Sequence, residues 1–149
     1  MFKLIKSMNH GTVVPELVTL NKSTYSDFYA HSAYFYSSNI LNTEATPGDQ
    51  LIFIPIADAL RGTSTVTGYF VSDDMIFEVD DTIAGEDDEG TLGGPLYFDN
   101  YDNKENSGVI SQYVTTPFYG GAYLFNNDDV NTRGKALVLL RIAHEILES

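Results

Sequence analysis

Leu51-Ile52-Phe53-Ile54-Pro55-Ile56, Thr65-Val66-Thr67-Gly68-Tyr69-Phe70-Val71 and Met75-Ile76-Phe77-Glu78-Val79 are three strand-like runs, close together, in the middle of the chain. The first is short, β-branched and bounded by a turn, which predicts a buried strand. The second alternates well enough for a strand. In the third, Met75, Phe77 and Val79 share one face and Ile76 and Glu78 the other, the pattern of a half-buried sheet. Ser72-Asp73-Asp74 connects the second run to the third, and residues 57–60 predict a helical turn ending at Gly62.

The reading outward from this centre stays β. Thr46-Pro47-Gly48-Asp49 is a turn with Pro and Gly at neighbouring central positions. Residues 24–41 carry Tyr25, Phe28, Tyr29, Tyr34, Phe35 and Tyr36 at spacings too irregular for an amphipathic helix, and predict strand, turn and strand. Downstream, residues 80–94 are an acidic, Gly-rich loop whose surface character continues through residues 96–101. Residues 109–114 resume a strand pattern, residues 117–123 resemble a bend, and residues 126–134 a polar turn. The apolar run at 135–142 predicts a strand followed by a short helical turn, with Leu140, Ala143 and Leu147 also fitting a helix face. The expected fold is mainly β: a small barrel or sandwich-like single domain over residues 21–149, preceded by an extended arm over residues 1–20.

Composition supports one folded unit. A chain of 149 residues buries roughly two thirds of its unfolded surface. Its 43% hydrophobic fraction, ten Tyr and nine Phe argue against disorder even at a net charge of -13. No Cys is present, so neither disulfides nor thiolate metal sites arise. The opening run is broken by Lys3 and followed by polar residues, unlike a secretory core, and no stretch approaches the roughly 18 apolar residues of a membrane span.

Charge is unevenly placed. The first 22 residues hold Lys3, Lys6 and Lys22 against Glu16 alone, whereas residues 73–105 hold twelve acids against Lys104. Such a body repels phosphate backbones, and eight bases scattered among 21 acids build no basic face for nucleic acid. In the arm, Gly11 and Pro15 interrupt regular structure, while Leu4, Ile5, Val13, Val14 and Leu17 are apolar anchors that need a surface. That surface is either an edge of the protein's own sheet or a neighbouring molecule.

Chemistry is sparsely signalled. Asp80, Asp81, Glu86, Asp87, Asp88 and Glu89 offer hard oxygen ligands for calcium without the spacing of an EF-hand. Asp73 with Glu78 is a carboxylate pair of the kind glycosidases use, but a chain this acidic makes such pairs by composition. His10, His31 and His144 lie far apart and form no zinc motif, and neither a nucleophile elbow nor a P-loop occurs. No enzyme activity, metal or cofactor is expected.

Met1-Phe2-Lys3-Leu4-Ile5-Lys6-Ser7, Asn9-His10-Gly11-Thr12 and Pro15-Glu16, followed by Asp74-Met75-Ile76-Phe77-Glu78-Val79, resemble the head decoration, or cement, proteins of tailed phages. The resemblance covers the first twenty residues and residues 51–79. It implies a small β-rich domain with an extended N-terminal segment, bound outside an assembled head and often trimeric at local threefold positions. There it ties neighbouring copies of the major capsid protein together, with no catalysis. The expected capsid-binding residues are Lys3, Leu4, Ile5, Lys6, Val13, Val14 and Leu17, and the expected location is the capsid exterior of a virion made in the host cytoplasm. Two other readings stand beside it: an acidic mimic of DNA that occupies the basic channel of a nucleic-acid-binding protein, and a small carbohydrate-binding module using the tyrosines and paired acids.

Overall fold

The computed structural model describes residues 2–7, 14–42, 51–72, 74–80, 95–99, 109–111, 118–125 and 135–145. The protein is mainly β, and every regular element among these residues is a strand. In chain order they are β1 (Phe2–Ser7), β2 (Val18–Asn21), β3 (Tyr34–Ser37), β4 (Ile40–Asn42), β5 (Leu51–Pro55), β6 (Thr65–Phe70), β7 (Met75–Asp80), β8 (Pro95–Asp99), β9 (Val109–Ser111), β10 (Phe118–Phe125) and β11 (Lys135–Glu145). All pair antiparallel, in a five-stranded sheet of order β2-β6-β5-β3-β4 and a six-stranded sheet of order β1-β7-β11-β10-β8-β9.

The five-stranded sheet curls until its edge strands β2 and β4 approach each other, giving a half-barrel whose concave side holds a core. Phe28, Tyr34, Leu41, Phe53, Ala59 and Val66 form that core, with Val18, Leu20, Tyr36 and Phe70 packed against it. Its rings meet edge to face, Phe28 with Tyr34 at 4.7 Å and Phe53 with Phe70 at 5.3 Å between centroids, the geometry that opposes negative ring faces to positive edges. The buried phenol of Tyr34 accepts a hydrogen bond from the Tyr29 amide. On the convex side, the alternate residues Phe35, Ile52, Ile54 and Tyr69 are buried too, where β11 of the second sheet contacts β5. β5 is therefore covered on both faces, the buried strand that its apolar run predicts.

Two backbone details shape the half-barrel. Ser38 and Asn39 both have positive φ, 51° and 64°, between the paired residues Ser37 and Ile40. This is the primed two-residue turn whose twist matches the flanking strands. Gly68 sits opposite both Pro55 on β5 and Val18 on β2. A Cβ there would lie 2.2 Å from the Ile54 carbonyl oxygen and 2.7 Å from the Pro55 Cα. β6 therefore approaches β5 more closely than any side chain on that side allows.

Burial pushes the Tyr69 phenol up to about 12, from the usual 10.0. Above pH 10 the unfolded chain releases this proton and the folded chain keeps it, so stability falls as pH rises towards 12. The loss attributable to Tyr69 is up to about 3 kcal/mol. Comparing the pH dependence of urea midpoints for the wild type and Tyr69→Phe isolates it, and parallel curves between pH 10 and 12 would rule it out.

Several sequence expectations change. Residues 57–60 are not a helical turn: Ala59 makes a reciprocal bridge with Phe28, each amide donating to the other's carbonyl at 2.9 and 2.8 Å. Pro95–Asp99 is a strand between β10 and β9, not a continuation of the surface loop. Residues 117–123 are not a bend, because Phe118–Phe125 runs as one strand and its pairing absorbs the Gly120-Gly121 step as a register shift. β11 continues to Glu145 with no helical turn among the described residues, its carbonyls and amides engaged by β10 and β7. The turn at residues 46–49 and nearly all of the acidic loop lie outside the described residues, apart from Asp80 at the end of β7.

Candidate functional site

Phe2–Ser7 is a strand with one irregularity, and it lies at one end of the six-stranded sheet, paired to β7. Lys3 stands opposite Glu78, Leu4 opposite Phe77 and Ser7 opposite Met75. The register slips between Leu4 and Lys6, so Ile5 is the extra residue of a bulge. Leu4 is half-buried, whereas Lys3 and Ile5 are exposed, Ile5 at 37%. The outer edge of β1 has no strand partner among the described residues. Its bulge and lysine are devices by which natural sheets keep an edge from pairing indiscriminately.

Residues 14–17 belong to no strand and lead into β2, in the other sheet. Val14 is 91% and Leu17 51% exposed, two of the eight large hydrophobic residues that are exposed among the described residues. Lys3, Leu4, Ile5 and Lys6 are thus together on β1, while Val14 and Leu17 precede β2. Val13 lies outside the described residues. Most of the proposed calcium ligands and Asp73 lie there as well, and Glu78 sits half-buried on β7. His31 is exposed with φ 63°, and His144 stands opposite Tyr119 on β11. Among the described residues no group of three or more His, Asp or Glu is placed to hold a metal ion. No helix among them is long and apolar enough to cross a membrane.

No protein-family model, curated protein or solved structure matches the chain.

Sequence reading passes over the polar framework at the far end of β2 and β6. Lys22 is only 9% exposed, and its Nζ donates to the carbonyl oxygens of Ser23, Ser26 and Thr63, each at 2.8 Å. It also lies 5.9 Å from the centre of the Phe28 ring. One ammonium therefore fastens the turn after β2 to the loop before β6. Beside it, the Asp27 carboxylate accepts from the Arg61 amide at 2.7 Å and the Asp58 carboxylate from the Ala30 amide at 2.8 Å. These two bonds flank the Phe28–Ala59 bridge symmetrically, and the Arg61 guanidinium adds a 3.7 Å ion pair to Asp27. The sequence signal is faint: an Asp three residues before each donating amide, Asp27 before Ala30 and Asp58 before Arg61, with each carboxylate serving the amide of the other segment.

Proposed function

We propose that the protein is a non-enzymatic decoration protein of a phage head, binding the outside of the assembled capsid through its first eighteen residues. The observation that carries this reading is the exposure of Ile5, Val14 and Leu17, which stand near the unpaired outer edge of β1 or in the strandless segment after it. An edge strand offers main-chain donors and acceptors to a neighbour's sheet, and adjacent apolar side chains fill pockets beside it. Lys3 and Lys6 pair with acids on the shell. The remainder of a chain of net charge -13 faces solvent and keeps particles apart. The partner is the major capsid protein, and copies around a local threefold position assemble as a homotrimer. A shell presents the same site many times, so modest single-site affinity yields firm retention.

Paired charge substitutions test the docking segment. Val14→Asp with Leu17→Asp replaces one side chain in water and one half in it, so the melting temperature stays within about 4 °C of wild type. Buried against a shell, the same changes cost roughly 3 kcal/mol or more, a loss of about a hundredfold in affinity for purified undecorated heads. Co-sedimentation reads the outcome, and full occupancy by the folded double variant would refute the docking role of this segment.

A further inference from the structure

We infer that the carbonyl cage around Lys22 is a binding site for a compact monovalent cation, ammonium or potassium, whose resident occupant is the protein's own side-chain ammonium. This is independent of capsid docking. The carbonyl oxygens of Ser23, Ser26 and Thr63 converge on one point from two segments, each 2.8 Å from Nζ. The Phe28 ring closes a further side, its centre 5.9 Å from the same point. All three ammonium donors are therefore spent on protein oxygens, around a side chain only 9% exposed.

The ligand set selects its guest. Three neutral carbonyls and a ring face attract a single positive charge, whereas calcium sites are built around carboxylates. All three cage oxygens belong to the main chain, and the Asp27 carboxylate is engaged by the Arg61 amide and guanidinium. A distance of 2.8 Å suits an ammonium ion, which donates to the same oxygens, and potassium, whose water shell carbonyl oxygens replace. Lithium needs its oxygens closer than this, and tetramethylammonium is too large and has no donors.

The cage does not depend on the side chain it holds. The Lys22 amide donates to the Ser64 carbonyl and the Gly62 amide to the Thr24 carbonyl, both at 2.9 Å. The Arg61 amide donates to the Asp27 carboxylate, and Phe28 and Ala59 exchange both of their main-chain bonds. Shortening residue 22 to alanine removes Nζ and leaves these ties in place. The three carbonyls then stay aimed at a vacated point that is preorganised for a free cation. In the wild type the tethered ammonium fills the site permanently, so the fastening of the two segments is independent of the salts in the medium.

The test compares melting temperatures of Lys22→Ala and wild type in ammonium, potassium, lithium and tetramethylammonium chloride at equal ionic strength. Relative to tetramethylammonium, ammonium and potassium at roughly 0.2 M are expected to raise the melting temperature of Lys22→Ala by about 4 °C or more, saturably. Lithium produces no such rise, and the wild type responds to none of the four. A second measurement needs no variant: the Lys22 ammonium protons of the wild type exchange with water about tenfold or more slowly than those of exposed Lys3. A Lys22→Ala chain without the ammonium and potassium response, or unfolded in both salts, would overturn the proposal. So would an equal rise with tetramethylammonium, an equal rise in the wild type, or Lys22 ammonium exchange as fast as that of Lys3.

Discussion

Gly68→Ala lowers the unfolding free energy by about 3 kcal/mol, a large share of the roughly 5–15 kcal/mol typical of a single domain. The reason is placement rather than backbone freedom. The added Cβ meets the Ile54 carbonyl oxygen at 2.2 Å and the Pro55 Cα at 2.7 Å, and both are backbone atoms of the central strand, so no rotamer change relieves them. β5 and β6 must separate, and the pairing of Pro55 with Gly68 and of Ile54 with Tyr69 goes with them. Gly62→Ala is the matched control. Gly62 has φ 92° with nothing within 4 Å of an added Cβ, so its cost is conformational, about 1–2 kcal/mol. Urea midpoints of the two variants therefore separate clash from φ, and equal losses would show that the strands have room at Gly68.

Lys22→Met lowers stability by about 3 kcal/mol although it keeps an unbranched apolar stem beside Phe28. The loss lies in three carbonyl oxygens, those of Ser23, Ser26 and Thr63, which lose a charged donor at 2.8 Å in part-buried hydrogen bonds. Hydrogen bonds to charged groups contribute about 1.5–3 kcal/mol each, and water entering the vacated space recovers part of that. Lys22→Arg does not rescue, because a planar guanidinium does not present three donors from one atom. Chemical denaturation measures the loss; a Lys22→Met variant within 0.5 kcal/mol of wild type would mean that water replaces the ammonium without cost.

The sequence spoke most clearly where one element decides its own state. Leu51–Pro55, Thr65–Phe70 and Met75–Asp80 show their strands by pattern alone, because β-branched and aromatic residues recur there at a spacing that only a sheet buries. Phe2–Ser7 was concealed, since an edge strand needs only one covered side and Lys3 is free to stay in water. Phe118–Phe125 was concealed by Gly120-Gly121, a pair as compatible with a bulge as with a bend until the partners β8 and β11 fix the register. The Phe28–Ala59 bridge has no periodic signature at all, being two single residues fastened by carboxylates from across the loop.

The candidate docking residues were legible only as a list of apolar side chains near one end. Which of them stay uncovered depends on the sheets. Leu4 is half-buried opposite Phe77, while Val14 and Leu17 find nothing to cover them among the described residues. Lys22 illustrates the converse: it reads as one more base of a positive leading segment, yet it is withdrawn into a cage of carbonyls and offers no charge to a partner. The positive character of this surface therefore rests on β1.

Hydrogen exchange on the protein bound to purified heads, compared with the free protein, tests the docking account most directly. Slowed exchange is expected at amides of residues 2–7 and 14–18, with the half-barrel strands β3, β5 and β6 unchanged. Unaltered exchange in both N-terminal segments on saturated heads, or new protection confined to the rest of the chain, would contradict it.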